Sequence, residues 1–370
     1  TGALSVTSGA VITDSGVITV GGAATFVTDV NDIDITLDSS NAITGALTFT
    51  TQTGGSNGAD ITLNNGSTAI SLAGFTTEGN LTLETTNAIA LTGHTVRGNL
   101  SVTSAGAITQ SAALTVSGNS SFTSTGTNTN ITLTQANAFT GQVTLTTAGT
   151  SGDVSIDNGT TALGIQGTIN GALTVRNGQV ITDSGTLTVS GASSFTIDTG
   201  SNHITLGTAA LTGAIGVSTT GTSNFTLDNT TTAVNLGTVG VTGALSVTSG
   251  EAITDSGVIT VTTTSSFTTD VNNKAINLGS ANAMSGNITV STLGTTGNVT
   301  IDNGTTALGI QGTVNGALVL TAGAAITDSS TLTVSGASDF TIDTGSNHIT
   351  LDTAALTGAI GVSTTGTSNF

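Results

Sequence analysis

Residues 171–190 read GALTVRNGQVITDSGTLTVS and contain three short runs of alternating apolar and polar residues, LTV, VIT and LTV. Small polar residues separate the runs. Alternation over a few residues is typical of a β-strand, and Gly, Ser, Asn and Asp between such runs are typical of turns. Three strands and three corners in one stretch describe a single turn of a triangular β-coil. The same pattern recurs at residues 2–21, 98–117, 243–262 and 316–335.

Two further kinds of segment alternate with this one, which we call the A rung. The C rung is longer and contains an Asn-Gly or Asn-Thr corner, as in residues 141–170 and 286–315. One extra short rung, residues 79–97, interrupts the order A, B, C. The B rung carries a phenylalanine at a fixed place, which is Phe26, Phe122, Phe195, Phe267 or Phe340.

Groups of three rungs repeat every 72 or 73 residues, as the spacing of Ile108, Ile181, Ile253 and Ile326 shows. A fixed period is typical of a solenoid, and a propeller blade would need about 40 residues in four antiparallel strands. The sequence therefore predicts an all-β, right-handed parallel β-helix of about 16 triangular rungs in a three-rung super-repeat. We expect one continuous β-solenoid over residues 1–370, with super-repeats near 2–97, 98–170, 171–242, 243–315 and 316–370.

The alternation also predicts which side chains fill the core. The B-rung phenylalanines recur every third rung, so we expect them about 14 Å apart and packed on Val and Leu of neighbouring rungs. Their outward neighbours are Thr or Ser, which suit a solvated sheet. In the A rung at 171–190 the expected inward residues are Leu173, Val175, Ile181, Leu187 and Val189.

Composition and charge argue against several classes of partner. The chain has 21 acidic residues and only 3 basic ones, Arg97, Arg176 and Lys274, for a formal net charge of −18. Nothing could neutralise phosphates, so we expect no nucleic-acid partner. No apolar run approaches the ~18 residues of a membrane span, so we expect no membrane insertion. The absence of cysteine excludes disulfides, and the period-two apolar residues argue against disorder.

The most acidic stretch, residues 28–38, is the strongest candidate for a metal site. Clustered carboxylate oxygens are the ligands that Ca²⁺ prefers. The equivalent stretch at 269–279 keeps only one of the four carboxylates, and the nonapeptide of calcium-binding β-rolls is absent. We therefore favour a solvated corner, with calcium as the alternative. The candidate ligands are Asp29, Asp32, Asp34 and Asp38.

The three histidines are the next candidates. His203 and His348 are equivalent and His94 lies elsewhere, and none has an acidic or histidine partner at ligand spacing. We expect surface or corner histidines without a metal or general-base role. Polysaccharide-cleaving β-helices need paired carboxylates or a basic cluster, and no such set stands out. We predict no catalytic residue and no cofactor.

Two sets of aspartates recur at corners. Asp14, Asp183, Asp255 and Asp328 lie at one corner of four A rungs, with Gln110 at the same place in the fifth. These carboxylates are expected to lie three rungs apart and to be nearly independent of one another. In the C rungs, turn chemistry explains a second set, because Asx side chains bond their own backbone. That set consists of Asp157, Asp228 and Asp302.

Two further readings concern the polar surface. A chain this rich in Asn and Thr produces Asn-x-Ser/Thr triplets by chance, so glycosylation is not indicated. An ice-binding face would need two Thr per strand on every rung, whereas most strands here are expected to present one. The triplets begin at Asn80, Asn99, Asn130, Asn158 and Asn303.

The segments GALSVTSGAVITDSGVITV at 2–20 and GNLTLETTNAIALTG at 79–93 resemble the repeat region of filamentous-haemagglutinin-type exoproteins and related giant bacterial surface adhesins. The resemblance extends over the whole chain and lies in the style of the repeat. It implies a secreted, surface-attached β-helical rod used for adhesion, biofilm formation or contact with other cells. The secretion domain and the toxic C-terminal domain of that family have no counterpart here.

Together these observations predict a non-enzymatic structural shaft of an extracellular fibre or adhesin at the bacterial cell surface. The alternative is an adhesin segment that binds glycans or receptors through its Thr- and Asn-rich faces or through the C-rung loops at 53–60 and 149–153. A polysaccharide-acting enzyme and an ice-binding protein are less favoured. The repeat pattern is cut at both ends, so we expect either a longer array of the same chain or end-to-end self-association.

Overall fold

The computed structural model describes residues 2–52, 58–367 and 369–370. These residues form 45 strands and no helix, in a parallel β-solenoid of about 18 turns. The predicted fold class is confirmed, and the predicted count of about 16 rungs is close. No segment of the described chain forms a helix of membrane-spanning length and apolarity. The chain divides into two compact units, Thr1–Gly191 and Ala192–Phe370, which we treat in turn.

The first unit contains 24 of the strands. They are β1 (Leu4–Ser8), β2 (Ile12–Thr13), β3 (Thr19–Val20), β4 (Ala24–Asn31), β5 (Ile35–Leu37), β6 (Ala42–Ile43), β7 (Leu47–Gln52), β8 (Ile61–Asn64), β9 (Ile70–Ser71), β10 (Thr76–Thr77), β11 (Leu81–Thr85), β12 (Ile89–Leu91), β13 (Thr95–Val96), β14 (Leu100–Ser104), β15 (Ile108–Gln110), β16 (Thr115–Val116), β17 (Ser120–Thr127), β18 (Ile131–Leu133), β19 (Ala138–Phe139), β20 (Gln142–Ala148), β21 (Val154–Asp157), β22 (Leu163–Ile169), β23 (Leu173–Asn177) and β24 (Ile181–Val189).

The second unit contains the remaining strands. They are β25 (Ser193–Ile197), β26 (Ile204–Leu206), β27 (Ala209–Leu211), β28 (Ala214–Ser218), β29 (Phe225–Asp228), β30 (Val234–Val241), β31 (Leu245–Ser249), β32 (Ile253–Asp255), β33 (Ile259–Val261), β34 (Ser265–Asn272), β35 (Ile276–Leu278), β36 (Ala283–Met284), β37 (Asn287–Leu293), β38 (Val299–Asp302), β39 (Leu308–Val314), β40 (Leu318–Ala322), β41 (Ile326–Val334), β42 (Ser338–Ile342), β43 (Ile349–Thr350), β44 (Ala354–Leu356) and β45 (Ile360–Ser363).

In the middle of the first unit each turn contributes one strand to each of three columns. Within a column, residues one turn apart pair in register, as Leu81 does with Leu100. Parallel strands stacked in this way lie about 4.8 Å apart. The first column contains β11, β14, β17, β20 and β22; the second contains β12, β15, β18, β21 and β23; the third contains β10, β13, β16 and β19.

Successive super-repeats begin on different columns. Leu100, the first inward residue of one A rung, lies in the first column, whereas its equivalent Leu173 lies in the second. The second unit shows the same shift, because Leu318 stacks in the column of Ile253 and not in that of its equivalent, Leu245. The super-repeats at 98–170 and 243–315 therefore each add a third of a turn to their three full turns, a shift that the sequence pattern did not predict.

The additional third of a turn lies in the C rung. Within residues 141–170 the chain forms β20 and β21 and then turns at a corner that contains Asn158. It continues directly into β22, where Ile165 pairs with Val143 of the same C rung. The C rung thus completes one turn and begins the next, which explains why the turns outnumber the predicted rungs.

The core is built from the inward residues of all three columns. The five residues predicted for the A rung at 171–190, from Leu173 to Val189, are each at most 1% exposed. Alternation alone was therefore enough to assign the buried face. Burial of aliphatic side chains stabilises each turn, but only when a neighbouring turn covers them.

The B-rung phenylalanines follow the prediction in part. Phe122 lies in register between Val102 and Leu145, as expected. Phe26 differs, because the neighbouring turn places Phe49 beside it with ring centroids 5.7 Å apart. The expected separation of about 14 Å applies to phenylalanines of successive B rungs, whereas Phe49 of this stacked pair belongs to the C rung.

Candidate functional site

Two of the four candidate calcium ligands are hydrogen bonded to the backbone of the following turn. An oxygen of Asp32 accepts the N–H of Gly58 at 3.0 Å, and Asp34 accepts the N–H of Asp60 at 2.9 Å. Asp29 and Asp38 are exposed. Among the described residues, no group of three or more His, Cys, Asp or Glu side chains is placed to hold a metal ion.

Asp34 begins a ladder of side-chain oxygens along one corner of the first unit. At each level a side-chain oxygen accepts the backbone N–H of the equivalent residue one turn later, so the residue before a strand ties two turns together. An Asn or Asp directly before each strand is the sequence signal, and the sequence analysis missed it. The pairs are Asp34 with Asp60 (2.9 Å), Asp60 with Asn80 (2.7 Å), Asn80 with Asn99 (2.7 Å), Asn99 with Asn119 (2.8 Å) and Asn119 with Gln142 (3.0 Å).

Histidines serve the same purpose in the second unit. The Nδ1 atom of His203 accepts the N–H of Asn224 at 3.0 Å, and Nδ1 of His348 accepts that of Asn369 at 3.1 Å. Both histidines are exposed, as predicted. His94 is different, because it lies at a corner but is only 1% exposed, so it is not a surface residue.

The A-rung aspartates also contact the following turn. Asp14 accepts the N–H of Asp38 at 3.1 Å and that of Ser39 at 3.2 Å, and Nδ2 of the buried Asn41 donates to it at 2.6 Å. Burial tends to raise the pKa of Asp14, but these hydrogen bonds outweigh burial and lower the pKa below its ordinary value. The carboxylate is therefore a structural acceptor.

The same contact recurs with different chemistry in other A rungs. Asp255 accepts from Nδ2 of Asn282 at 2.8 Å. Gln110 replaces the carboxylate with an amide, and it both donates to Asn137 at 2.8 Å and accepts from it at 3.0 Å. Asp328 accepts the N–H of Asp352 at 2.8 Å in the turn that follows. A neutral amide can thus fill the place of the carboxylate.

The C-rung aspartates form the predicted turns. Asp157 accepts the N–H of Gly159 at 2.7 Å, and Gly159 has a φ of 58°. Asp302 bonds Gly304 in the same way at 2.8 Å. Asn158, between Asp157 and Gly159, was not predicted to have a role of its own. It is fully buried, and its side-chain amide bonds the N–H and the carbonyl of Phe139.

The structure also shows the burial and the hydrogen bonds of the asparagines in the five Asn-x-Ser/Thr triplets. Asn158 and Asn303 are 0% exposed, which leaves no room for a glycan on either side chain in the folded chain. Asn80 and Asn99 belong to the corner ladder, and Asn130 accepts the N–H of Asp153 at 2.9 Å. The side-chain amide oxygens of all five thus serve the fold.

All three basic residues form ion pairs with acidic residues about one turn earlier in the chain. In each pair at least one side chain is open to solvent, and such surface ion pairs contribute about 0–1 kcal/mol each to stability. Each positively charged side chain is thus paired with a carboxylate of the same chain. The pairs are Arg97 with Glu78 at 3.0 Å, Arg176 with Asp157 at 2.9 Å and Lys274 with Glu251 at 2.6 Å.

One face of each unit carries two outward hydroxyls per strand on three consecutive turns, and we call these the hydroxyl faces. At these positions five of the six strands carry one Thr and one Ser, in agreement with the expectation of one outward Thr per strand, and only β20 carries two Thr. Apart from Thr144 and Thr289, which accept from Gln166 and Gln311, these hydroxyls form no hydrogen bond with the described residues. The faces consist of Ser101, Thr103, Ser121, Thr123, Thr144 and Thr146 in the first unit, and Ser246, Thr248, Ser266, Thr268, Thr289 and Ser291 in the second.

The C-rung loops are held by single asparagines. Asn128 Oδ1 accepts the N–H of Thr150 at 2.8 Å and that of Ser151 at 3.1 Å, which fixes the loop at 149–153. Of the other candidate loop, 53–60, residues 53–57 lie outside the described part of the chain.

Comparison with known families places this geometry in context. A family model described as repeats of unknown function (DUF5649) matches residues 1–50, 78–146, 151–218, 222–291 and 296–363. The chain belongs to this DUF5649 family. The last four DUF5649 matches begin at 78, 151, 222 and 296, a spacing close to the period read from the sequence. No curated protein and no solved structure matches the chain.

Proposed function

We propose that this chain is a non-enzymatic structural segment, the shaft of an extracellular fibre or adhesin at the bacterial cell surface. The observation that carries the proposal is the use made of polar side chains. The Asp, Asn and His residues of the corners bond the backbone of the next turn, as Asp14 and His203 do. A chain whose polar corner side chains form hydrogen bonds between successive turns is suited to bearing load along the solenoid.

The shift between super-repeats supports the same proposal. Equivalent residues such as Leu100 and Leu173 lie in different columns, so a motif of the repeat moves around the solenoid from one super-repeat to the next. A receptor-binding row would need equivalent residues along one face. A shaft needs only that every turn covers the next, and further turns of the same repeat, in this chain or another copy, are its natural partners.

Immunogold electron microscopy of producing cells tests this proposal. Antibodies raised against the folded chain should label extracellular fibres on intact cells, and in-frame deletion of residues 171–242 should shorten those fibres without abolishing them. Label confined to the cell interior would overturn the proposal. A deletion that left fibre length unchanged would also count against a shaft.

A second candidate, glycan binding, is favoured by the hydroxyl faces. Apart from those of Thr144 and Thr289, their hydroxyls have no hydrogen-bond partner among the described residues. The equivalent positions of the repeats at 171 and 316 are interrupted, for example by Arg176, Gly216 and Asp339. A glycan array should then retain sugars on the wild-type chain and lose them when Ser121 and Thr123 are replaced by alanine. The matched control replaces Ser194 and Thr196. Inhibition of ice recrystallisation by the wild type, lost in the same variant, would instead assign the faces to ice.

A further inference from the structure

His94 is a buried imidazole in the extra rung, residues 79–97, that interrupts the first super-repeat. It lies at the corner between β12 and β13 and is 1% exposed. The register of β13 with β10 and β16 places it level with Phe75 one turn before and Leu114 one turn after. An ionisable side chain therefore takes an inward position that Leu114, itself 0% exposed, fills in the following turn.

The described surroundings of His94 provide no hydrogen-bond acceptor for a second ring proton. Its Nε2 accepts the N–H of Thr92 at 3.4 Å, and its Nδ1 has no hydrogen-bond partner among the described residues. The ring packs edge-on against Phe75 with centroids 4.9 Å apart. A doubly protonated imidazole would direct one N–H group at this apolar corner and the other at the Thr92 N–H, which is itself a donor. Protonation is therefore unfavourable unless the site opens.

The charged groups of the neighbouring turns do not relieve this cost. On the elements packed against His94 they are Glu78, Glu84 and Arg97. Glu78 pairs with Arg97 at 3.0 Å, and Glu84 is exposed on the outer side of β11. Burial is the cause of the perturbation, and it lowers the pKa of His94 to about 4.

We propose that the extra rung is an acid-labile turn, in which protonation of His94 opens residues 89–96 locally while the rest of the first unit stays folded. The other super-repeats lack this rung, so the response is confined to one level of the solenoid. The functional consequence is a predetermined point at which mild acid exposes backbone to proteases or to a partner.

The direction of the effect follows from linkage. The ordinary pKa of histidine is 6.5, and that of folded His94 is about 4, so the opened turn binds the proton more tightly than the closed turn. Opening is independent of pH above 6.5 and becomes more favourable as the pH falls from 6.5 towards 4. The difference between the two pKa values allows a rise of up to about 300-fold in the opening equilibrium.

Hydrogen exchange measured by mass spectrometry at pH 7 and pH 4.5 tests the proposal, after correction for intrinsic exchange rates. Opening of residues 89–96 in the wild type should rise by about 60-fold between pH 7 and pH 4.5. His94→Leu should abolish the rise, since Leu114 shows that leucine fits this column, and His94→Asn should do the same. His203→Asn, which keeps a corner acceptor, is the control and should behave like the wild type.

Two outcomes would overturn the proposal. One is an unchanged opening equilibrium in the wild type, and the other is an equal rise in wild type and His94→Leu. Should neither substitution fold, the imidazole titration of His94 in the wild-type chain, followed by NMR, decides the matter. A midpoint near 4 supports the acid-labile turn, and a midpoint above 6 overturns it.

Discussion

Asn158 pairs with Phe139 as a strand residue would. Its Oδ1 accepts the Phe139 N–H at 2.8 Å, and its Nδ2 donates to the Phe139 carbonyl at 3.1 Å. Nδ2 also lies within hydrogen-bond distance of the carbonyls of Thr161 and Ala162, so one buried amide closes the corner in place of a third-column strand. The same arrangement joins Asn65 to Ile43, Asn229 to Leu211 and Asn303 to Met284.

Asn158→Ala should therefore be among the most destabilising single substitutions in the first unit. It removes the amide and leaves the buried N–H and carbonyl of Phe139 without partners, at a cost of about 2–4 kcal/mol. Urea unfolding of the purified chain measures the loss. Asn130→Ala is the control, because Asn130 is exposed and bonds one N–H, and it should cost about 1 kcal/mol or less. Equal losses in the two variants would contradict the strand-like role of Asn158.

Replacing Ser265 with alanine should leave stability unchanged or raise it by up to about 1 kcal/mol. Its hydroxyl is buried without a hydrogen-bond partner, and Ala24 takes the equivalent place in the first B rung. Ser249→Ala is the matched control, because Ser249 donates to the Thr232 carbonyl at 2.9 Å and accepts the Glu251 N–H at 3.0 Å. Thermal unfolding compares the two. A loss of stability in Ser265→Ala as large as that in Ser249→Ala would show that the Ser265 hydroxyl has a partner.

The sequence was enough for the fold and for most of the core. Period-two alternation assigned Leu173, Ile181 and Leu187 to the interior because a strand offers only two faces, and one of them must be covered. The repeat then implied that each turn covers its neighbour. These conclusions depend on local pattern, which a repeated sequence shows several times over.

The number of turns and the position of His94 could not be read in the same way. From the sequence, Asn158 resembles an ordinary turn residue. Its role in place of a strand depends on Phe139, which lies one turn earlier, and the local sequence does not show that contact. His94 looks exposed because it is polar, and its burial follows from the register of β13 with its neighbours. The role of Asn158 and the burial of His94 both depend on contacts between turns, which cannot be predicted from the residue pattern within a single turn.

Gly167→Ala should destabilise the first unit by at least about 3 kcal/mol. Gly167 has a φ of 126°, and a β-carbon on it would lie 2.1 Å from the carbonyl oxygen of Leu145. It follows the register shift in β22, where the chain passes from one turn to the next. Gly164→Ala in the same strand is the control and should change stability by less than about 0.5 kcal/mol, since its nearest neighbour would be 3.5 Å away. Urea unfolding distinguishes the two, and similar midpoints would refute the constraint at Gly167.

Asp14→Gln should preserve stability at neutral pH and make it less sensitive to acid. Gln110 shows that an amide makes this corner contact, because it both donates to and accepts from Asn137. The pKa of Asp14 is lowered from its ordinary value of 3.8, so the stability contributed by its carboxylate is complete above pH 3.8. That stability is lost as the pH falls through the lower pKa of the folded state. Glutamine does not titrate and keeps its contact in acid.

The measurement is the difference in urea midpoint between wild type and Asp14→Gln at pH 7 and at pH 2.5, which subtracts the titration of the other carboxylates. The urea midpoint of Asp14→Gln should rise relative to that of the wild type as the pH falls. Asp14→Ala is the control that removes the acceptor, and it should be less stable than both at pH 7, because the Asn41 amide and the N–H groups of Asp38 and Ser39 lose their partner. If Asp14→Gln were as unstable as Asp14→Ala at pH 7, the corner would require a charge, and Gln110 would not be its neutral equivalent.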